Sequence, residues 1–160
     1  MNCPQSSAAG RLFDAAASLI LGISKVSYEG QGPMQLEAIV NQVDDFIDLP
    51  LTEENEHFIV DWQPLLAVLQ DSEMLPVRRS TIFHNSLAHI IIKQAELLKA
   101  TYSFDAIGLS GGVFQNKVLV EKIYKLAISR NLKVLIPKEV PVNDGGLSYG
   151  QVIEFAAKQA

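Results

Sequence analysis

Two adjacent glycines, Gly111 and Gly112, stand in the stretch Gly108-Leu-Ser-Gly-Gly-Val-Phe-Gln-Asn116. Without a Cβ between them and solvent, such residues let a ligand come close to the main chain. The residues before them, Phe104-Asp-Ala-Ile-Gly-Leu109, are short and apolar and read as a buried strand. Those that follow, Lys117 to Arg130, read as an amphipathic helix. The glycines therefore fall between the carboxyl end of a strand and the start of a helix, where open α/β sheets bind ligands. The free N–H groups of a helix start can face an anion or polar oxygens. A bare Ser-Gly-Gly is also an ordinary tight turn that binds nothing, and the pattern alone does not separate the two.

The carboxylates come next. Leu132-Lys-Val-Leu-Ile-Pro137 reads as a second strand, stopped by Pro137. Strand, helix and strand in this order imply two parallel neighbours joined by a right-handed crossover. The loop after it, Lys138 to Gly146, carries Asp144, which then faces the same cleft as Gly111 and Gly112. Gly145 and Gly146 would leave room for a metal or phosphate beside it. A lone Asp supplies one oxygen to a cation and cannot hold it by itself. Its plainer role is to cap the last helix, Leu147 to Lys158, a contribution of roughly 1 kcal/mol. Asp14 shares a helix face with Gly10, four residues earlier. Gly in a first helical turn costs about 1 kcal/mol against Ala, which suggests a close approach by something. Tight helix packing at Gly10 and a solvated Asp14 paired with Arg11 are the plainer readings. His84 and His89 lie on one helix, turned roughly 140° apart, so they cannot easily grip one metal as an i, i+4 pair does, and either can simply hydrogen-bond inside a helical packing surface. His57 reads as a surface residue.

These residues need elements to position them. A helix runs from Ser6 to Gly22, with Ser6 or Ser7 as its cap, Gly22 at its end, and Leu12, Phe13, Ala16, Leu19 and Ile20 as its apolar stripe. Tyr28 to Pro33 is a turn. Pro33 opens a helix that continues to Ile47, with Leu36, Ile39, Val40, Val43 and Ile47 inward. After a polar connection, His57 to Trp62 forms a short strand in a hairpin with what precedes it, and Trp62 anchors the core. Pro64 to Gln70 is a short helix. The longest helix spans about Val77 to Lys99, with Ile82, Leu87, Ile90, Ile91, Ala95 and Leu98 toward the core. Residues 1–101 are thus mainly helical and 102–160 alternate strand, helix, strand, helix, together one domain or a large part of one, of helix-rich α/β class.

Composition narrows the classes. Of the 160 residues, 48% are hydrophobic and 19% charged, enough apolar material for a core. The net charge of −5, without a Lys/Arg cluster, argues against nucleic-acid binding. Cys3 has no partner for an internal disulfide, which points to a reducing cytoplasm. No apolar run approaches the ~18 residues of a membrane span. The first residues lack the basic and apolar regions of a signal peptide.

Four stretches in order carry a resemblance: Ser6-Ser-Ala-Ala-Gly-Arg-Leu-Phe-Asp14, Tyr28-Glu-Gly30, Leu109-Ser-Gly-Gly-Val-Phe-Gln-Asn116 and Val140-Pro-Val-Asn-Asp-Gly-Gly-Leu-Ser-Tyr-Gly-Gln151. Each is weak alone; the ordered set closely resembles the C-terminal part of the HypF carbamoyltransferases, which mature nickel–iron hydrogenases. It resembles the TsaD tRNA threonylcarbamoyl transferases more distantly. The resemblance implies the C-terminal half of an actin/Hsp70-like (ASKHA, ribonuclease H-like) two-lobed domain with a helical insertion, and so a single partial domain over 1–160. It implies a relay in which carbamoyl phosphate and ATP give carbamoyl adenylate, and the carbamoyl group passes to the C-terminal cysteine of HypE. Matched motif by motif, Asp14 would contact the nucleotide ribose and Gly30 would lie near the sugar or base. Gly111, Gly112 and Asn116 would meet the nucleotide, and Asp144 would be one ligand of a divalent metal. No nucleophile is then needed in this chain, and Cys3 is a poor candidate for one. The family's histidine-rich metal motif does not occur here, since His57, His84 and His89 do not match it, so the remaining ligands are expected outside this chain. The acylphosphatase, zinc-finger and adenylate-forming domains are also absent. The expected partners are HypE and the rest of a HypF chain, with no membrane or nucleic acid, and the isolated chain is expected to have little catalysis. Arg11 and the run Gly146-Leu-Ser-Tyr-Gly-Gln151 favour HypF over TsaD. A fragment of a TsaD-like enzyme and a non-catalytic interaction module of the same fold are the alternatives.

Overall fold

The structure is a computed structural model and describes residues 6–55 and 57–159. Cys3 lies outside them. The element order is α1 (Ala9–Leu21), α2 (Gln31–Ala38), β1 (Leu51–Glu54), β2 (His57–Val60), α3 (Leu65–Gln70), α4 (Pro76–Thr101), β3 (Ile107–Gly108), α5 (Lys117–Ser129), β4 (Val134–Leu135) and α6 (Leu147–Gln159). Short 3₁₀ turns, Gly112–Gln115 and Asp144–Gly146, precede α5 and α6. Among the described residues no helix is long and apolar enough to cross a membrane.

The central helix is α4. Its apolar side, with Phe83, Leu87, Ile90 and Ala95, joins Phe13, Ala16 and Ile20 of α1, Leu36 of α2, Leu65 and Leu69 of α3, and Leu119, Ile123 and Ala127 of α5 in one core. Burying a side chain such as Leu119 or Phe83 contributes about 1.5–3 kcal/mol relative to exposure. Leu98, expected to face inward, is exposed instead, in the last turn of α4. Gly22 ends α1 as its position suggests, in the left-handed conformation with its N–H on the Ser18 carbonyl at 2.9 Å. The start differs. The N-cap is Ala8, without a side-chain bond, and the Ser6 Oγ accepts the Ala8 N–H in a turn ahead of the helix. Where α2 crosses α1, a Cβ on Gly32 would come within 3.0 Å of the Ala17 Cβ, so the small residue permits the close approach.

The largest departure concerns residues 39–47. The helix expected to reach Ile47 ends at Ala38, with Pro33 as its third residue rather than its first. The following segment is an irregular strap laid along α4. Its backbone finds partners on α4 side chains: the Asn41 N–H donates to Thr81 Oγ1 at 3.0 Å and the Ile47 N–H to Ser86 Oγ at 2.8 Å. The Asn85 Nδ2 donates to the Val43 and Asp45 carbonyls, each at 2.8 Å. A polar, buried side of α4 thus offers these groups what a helix would have offered internally, and the β-branched residues Ile39, Val40 and Val43 lower the cost of leaving the helix. Arg78–Asp45 at 2.9 Å and Lys93–Asp48 at 2.7 Å hold its outer edge.

The hairpin forms, with β1 antiparallel to β2 and Leu51 opposite Val60. Trp62 is not a core anchor: it follows the hairpin and is 43% exposed. The two strands of the other sheet are parallel, with Ile107 opposite Val134 and Gly108 opposite Leu135. They are shorter than the apolar runs that predict them, because the Ile107 N–H bond to the Lys133 carbonyl and the Leu109 N–H bond to the Leu135 carbonyl are the ends of the pairing. The last helix, α6, has no buried residue among its thirteen.

Candidate functional site

The chain leaves β3 at Leu109, and Gly111 turns it. Gly111 has φ 109° and ψ 157°, a region essentially closed to side-chain-bearing residues. Its N–H donates to the Val142 carbonyl at 2.6 Å. Val142 belongs to the loop after β4, so the loops leaving the carboxyl ends of two adjacent parallel strands are tied together at the glycine turn. Gly112 differs from its neighbour. Its φ is not positive, and a Cβ built on it would meet no atom within 4 Å. Neither backbone conformation nor internal packing requires glycine there, and the space beside it is open.

From Gly112 the chain makes the 3₁₀ turn, with the Phe114 N–H on the Gly111 carbonyl at 3.0 Å and the Asn116 N–H on the Val113 carbonyl at 3.1 Å. Val113 packs toward the first turn of α1, where a Cβ on Gly10 would lie 4.0 Å from Val113 Cγ2. That is an ordinary van der Waals distance, so the close approach suggested by Gly10 is not found among the described residues. One helical turn further along α1 comes Asp14. It pairs with Arg11 at 3.2 Å, with both side chains well exposed. Such a pair contributes about 0–1 kcal/mol and leaves the carboxylate accessible. Asp14 and Gly30 line one open cleft of about 550 Å³, together with Arg11, Ser18, Lys25 and Glu29. Gly30, at φ 81°, is the left-handed residue from which α2 starts, and its carbonyl accepts the Met34 N–H at 2.9 Å. Gly111, Gly112, Asn116 and Asp144 do not line this cleft. The sites thus fall into two groups that meet where α1 touches the 3₁₀ turn.

Asn116 is buried, and its amide is engaged at both ends. The Oδ1 accepts the Leu119 N–H at 2.8 Å and so caps α5. The Nδ2 lies 3.0 Å from His84 Nε2. The His84 Nδ1 lies 2.8 Å from the Ser80 carbonyl, which can only accept, so Nδ1 carries the proton and Nε2 accepts from Asn116. Burial pushes the His84 imidazole down from 6.5 to about 4, partly opposed by its bond to Ser80 and reinforced by Lys122. The plainer expectation for His84, a hydrogen-bonded residue inside a helical packing surface, is what the structure shows. The signal for its actual place was the spacing of Ser80, Thr81, His84 and Asn85 on the side of α4 that also carries the core. His89 does not meet His84: its ring stacks on Phe46 with centroids 3.7 Å apart, and burial is the main cause that lowers its pKa.

Asp144 is exposed at the start of the second 3₁₀ turn. The cap there is Asn143, whose Oδ1 accepts the Gly145 N–H at 3.0 Å. The room expected beside Asp144 is filled on the glycine side. A Cβ on Gly146 would stand 2.7 Å from the Pro141 carbonyl oxygen, and one on Gly145 would stand 3.1 Å from Asn143 Oδ1. These two glycines serve a tight turn of the chain itself. Among the described residues no three His, Cys, Asp or Glu side chains gather as a metal site.

Comparison with known proteins gives the family. The family model for the carbamoyltransferase, Kae1-like domain, second subdomain matches residues 1–151. Carbamoyltransferase HypF of Synechocystis sp. is 33% identical over 153 residues, which are 94% of this chain and 19% of that protein. Carbamoyltransferase HypF of Rhodobacter capsulatus is 36% identical over 160 residues, 99% of this chain and 21% of that protein. Among solved structures, full-length HypF in a phosphate- and nucleotide-bound form superposes with a TM-score of 0.85 at 30% identity, covering 91% of this chain and 20% of that one. The chain spans about a fifth of the length of these relatives.

Proposed function

The chain belongs to the HypF carbamoyltransferase family, within the second subdomain of its Kae1-like domain, and from that premise we propose that it supplies one wall of the nucleotide cleft of a HypF-type carbamoyltransferase. In that reading the whole enzyme passes a carbamoyl group from carbamoyl adenylate, made from carbamoyl phosphate and ATP, to the C-terminal cysteine of HypE. The wall is half of an actin/Hsp70-like two-lobed domain, and the other half comes from the rest of a HypF chain. The observation that carries the reading is Gly112, a glycine that the fold does not require, at the carboxyl end of a parallel strand pair. A side chain there would occupy the space through which a nucleotide reaches the main chain. Asp14 supports it, since an exposed carboxylate can accept from two ribose hydroxyls at once. Gly30 lines the cleft that Asp14 lines, and in this reading it meets the sugar or base. That a solved relative is in a nucleotide-bound form supports a nucleotide as the ligand in this reading.

Asp144 alone does not hold a divalent metal, and any such ion would draw its remaining ligands from outside this chain. When bound it would neutralise phosphate charge. The residues of this chain bind and orient the nucleotide, while the attacking thiol belongs to the partner protein.

The test is calorimetric titration with ATP and AMP in the presence of Mg²⁺, beside Asp14→Ala and Gly112→Val. Weak binding that both substitutions abolish, in folded protein, is the expected result. Binding that survives both would overturn the assigned residues. If the wild-type chain binds nothing, the upstream lobe is added; recovery supports a cleft split between two lobes, and continued silence favours a non-catalytic interaction module.

A further inference from the structure

Both ends of the Asn116 amide are occupied, yet capping α5 needs only its oxygen. The second bond, to His84, has a different consequence. Ser80, His84, Asn116 and Leu119 form a line of groups in which each of the three bonds along the line has one direction. The Ser80 carbonyl requires Nδ1–H, Nδ1–H leaves Nε2 as acceptor, and the Leu119 N–H requires the amide oxygen. The imidazole is fully buried and held edge-on by Phe13 at 5.5 Å and Phe83 at 5.6 Å, so it cannot turn. Ser80 is itself fixed, its Oγ donating to the Leu36 carbonyl at 2.7 Å. Asn116 closes the 3₁₀ turn that begins at Gly112, through its N–H on Val113. The rigid middle of α4 is thereby connected, by one ring, to the glycine turn.

We propose that His84 is a positioning residue for the nucleotide: by fixing the amide plane of Asn116 it holds the Gly111–Gly112 main chain and the first turn of α5 in the receiving geometry. This rests on the nucleotide reading given above. His84 touches no ligand and acts through Asn116. Because burial and Lys122 hold it neutral down to about 4, the accepting nitrogen is present throughout the neutral range.

Four substitutions and two readouts test this. His84→Ala removes the acceptor, and His84→Gln restores one through its side-chain oxygen. Asn116→Ala removes the other end, and Asp14→Ala marks the nucleotide site independently. Hydrogen exchange reads the Phe114, Asn116 and Leu119 amides against those of Leu87 and Ile90, within α4. Titration with ATP, with the upstream lobe present, reads affinity. His84→Ala is expected to speed exchange at the three turn amides beyond any change in α4, and to weaken ATP binding about five- to tenfold, the scale of one net hydrogen bond. His84→Gln should recover most of both, and the double variant with Asn116→Ala should be no worse than Asn116→Ala alone. Asp14→Ala should weaken binding without altering exchange. Equal acceleration of all amides, or intact affinity in His84→Ala while Asp14→Ala loses it, overturns the positioning role alone. If Asp14→Ala also leaves affinity intact, the nucleotide reading falls and this proposal with it.

Discussion

At the scale of single residues, the two neighbouring glycines make opposite demands. Gly111 sits at φ 109°, so Gly111→Ala is expected to destabilise the chain by about 1–3 kcal/mol, measured by urea unfolding. Gly112 has an ordinary φ and open space where a Cβ would go, so Gly112→Ala should be neutral or stabilise by up to about 1 kcal/mol. A ligand at Gly112 would still lose affinity in that variant, which separates binding from folding. His84 has its own signature in pH. Its folded pKa is depressed to about 4 from 6.5, so the neutral imidazole is the form that folding favours. Its contribution is complete above pH 6.5 and is lost as pH falls toward 4, because the unfolded chain takes up the proton first. The slope is about 1.4 kcal/mol per pH unit over that window, roughly 3 kcal/mol in all. Urea unfolding at pH 7, 6, 5 and 4 should show it, and His84→Gln should flatten that part of the profile.

At the scale of elements, α4 decides the arrangement of its neighbours through polar as well as apolar side chains. Asn85 donates to two strap carbonyls. Removing it as Asn85→Ala leaves both without protein donors, at a cost of about 1–3 kcal/mol, and hydrogen exchange in residues 40–47 should rise more than in α1. Arg79 is buried, with no carboxylate paired to it among the described residues, donating to the Ile20 carbonyl at the end of α1 and the Leu69 carbonyl at the end of α3. A cation at helix C-termini is favourable there, and one guanidinium serves two helices. Its Nε has no hydrogen-bond partner among the described residues. Arg79→Ala is expected to cost at least about 3 kcal/mol by thermal or urea unfolding, through lost bonds and a cavity. Arg79→Met, which keeps the volume and removes a buried charge, should cost less.

At the scale of the whole molecule, the core lies where α1, α2, α3 and α5 close on α4, and α6 stands apart from it. Phe83 and Leu119 are fully buried, whereas Phe155 is 66% exposed. Phe83→Ala should therefore cost about 3–5 kcal/mol, while Phe155→Ser should change the unfolding free energy by no more than about 0.5 kcal/mol. A large loss from Phe155→Ser would mean that α6 packs on the core in solution.

Much of the local structure and the family were legible from residue order. The Gly22 stop, the parallel strand pair around the glycine turn, α5 and α6 follow from apolar periodicity and from Gly, Pro and Asn as punctuation. The four ordered motifs pointed to the HypF family, which the comparisons bear out. These are short-range properties, in which the spacing of side chains within a few turns determines the outcome. What the tertiary structure alone decided was long-range. Residues 39–47 have a helical pattern, yet they lie as a strap because Thr81, Asn85 and Ser86, about forty positions away, satisfy their backbone. Trp62 is large and apolar but follows a hairpin that leaves it outside. For His84 the sequence allowed a hydrogen bond inside a helical packing surface but named no partner. Its partner, Asn116, is thirty-two residues distant, and folding alone brings an imidazole and an amide with matched donor and acceptor to 3.0 Å.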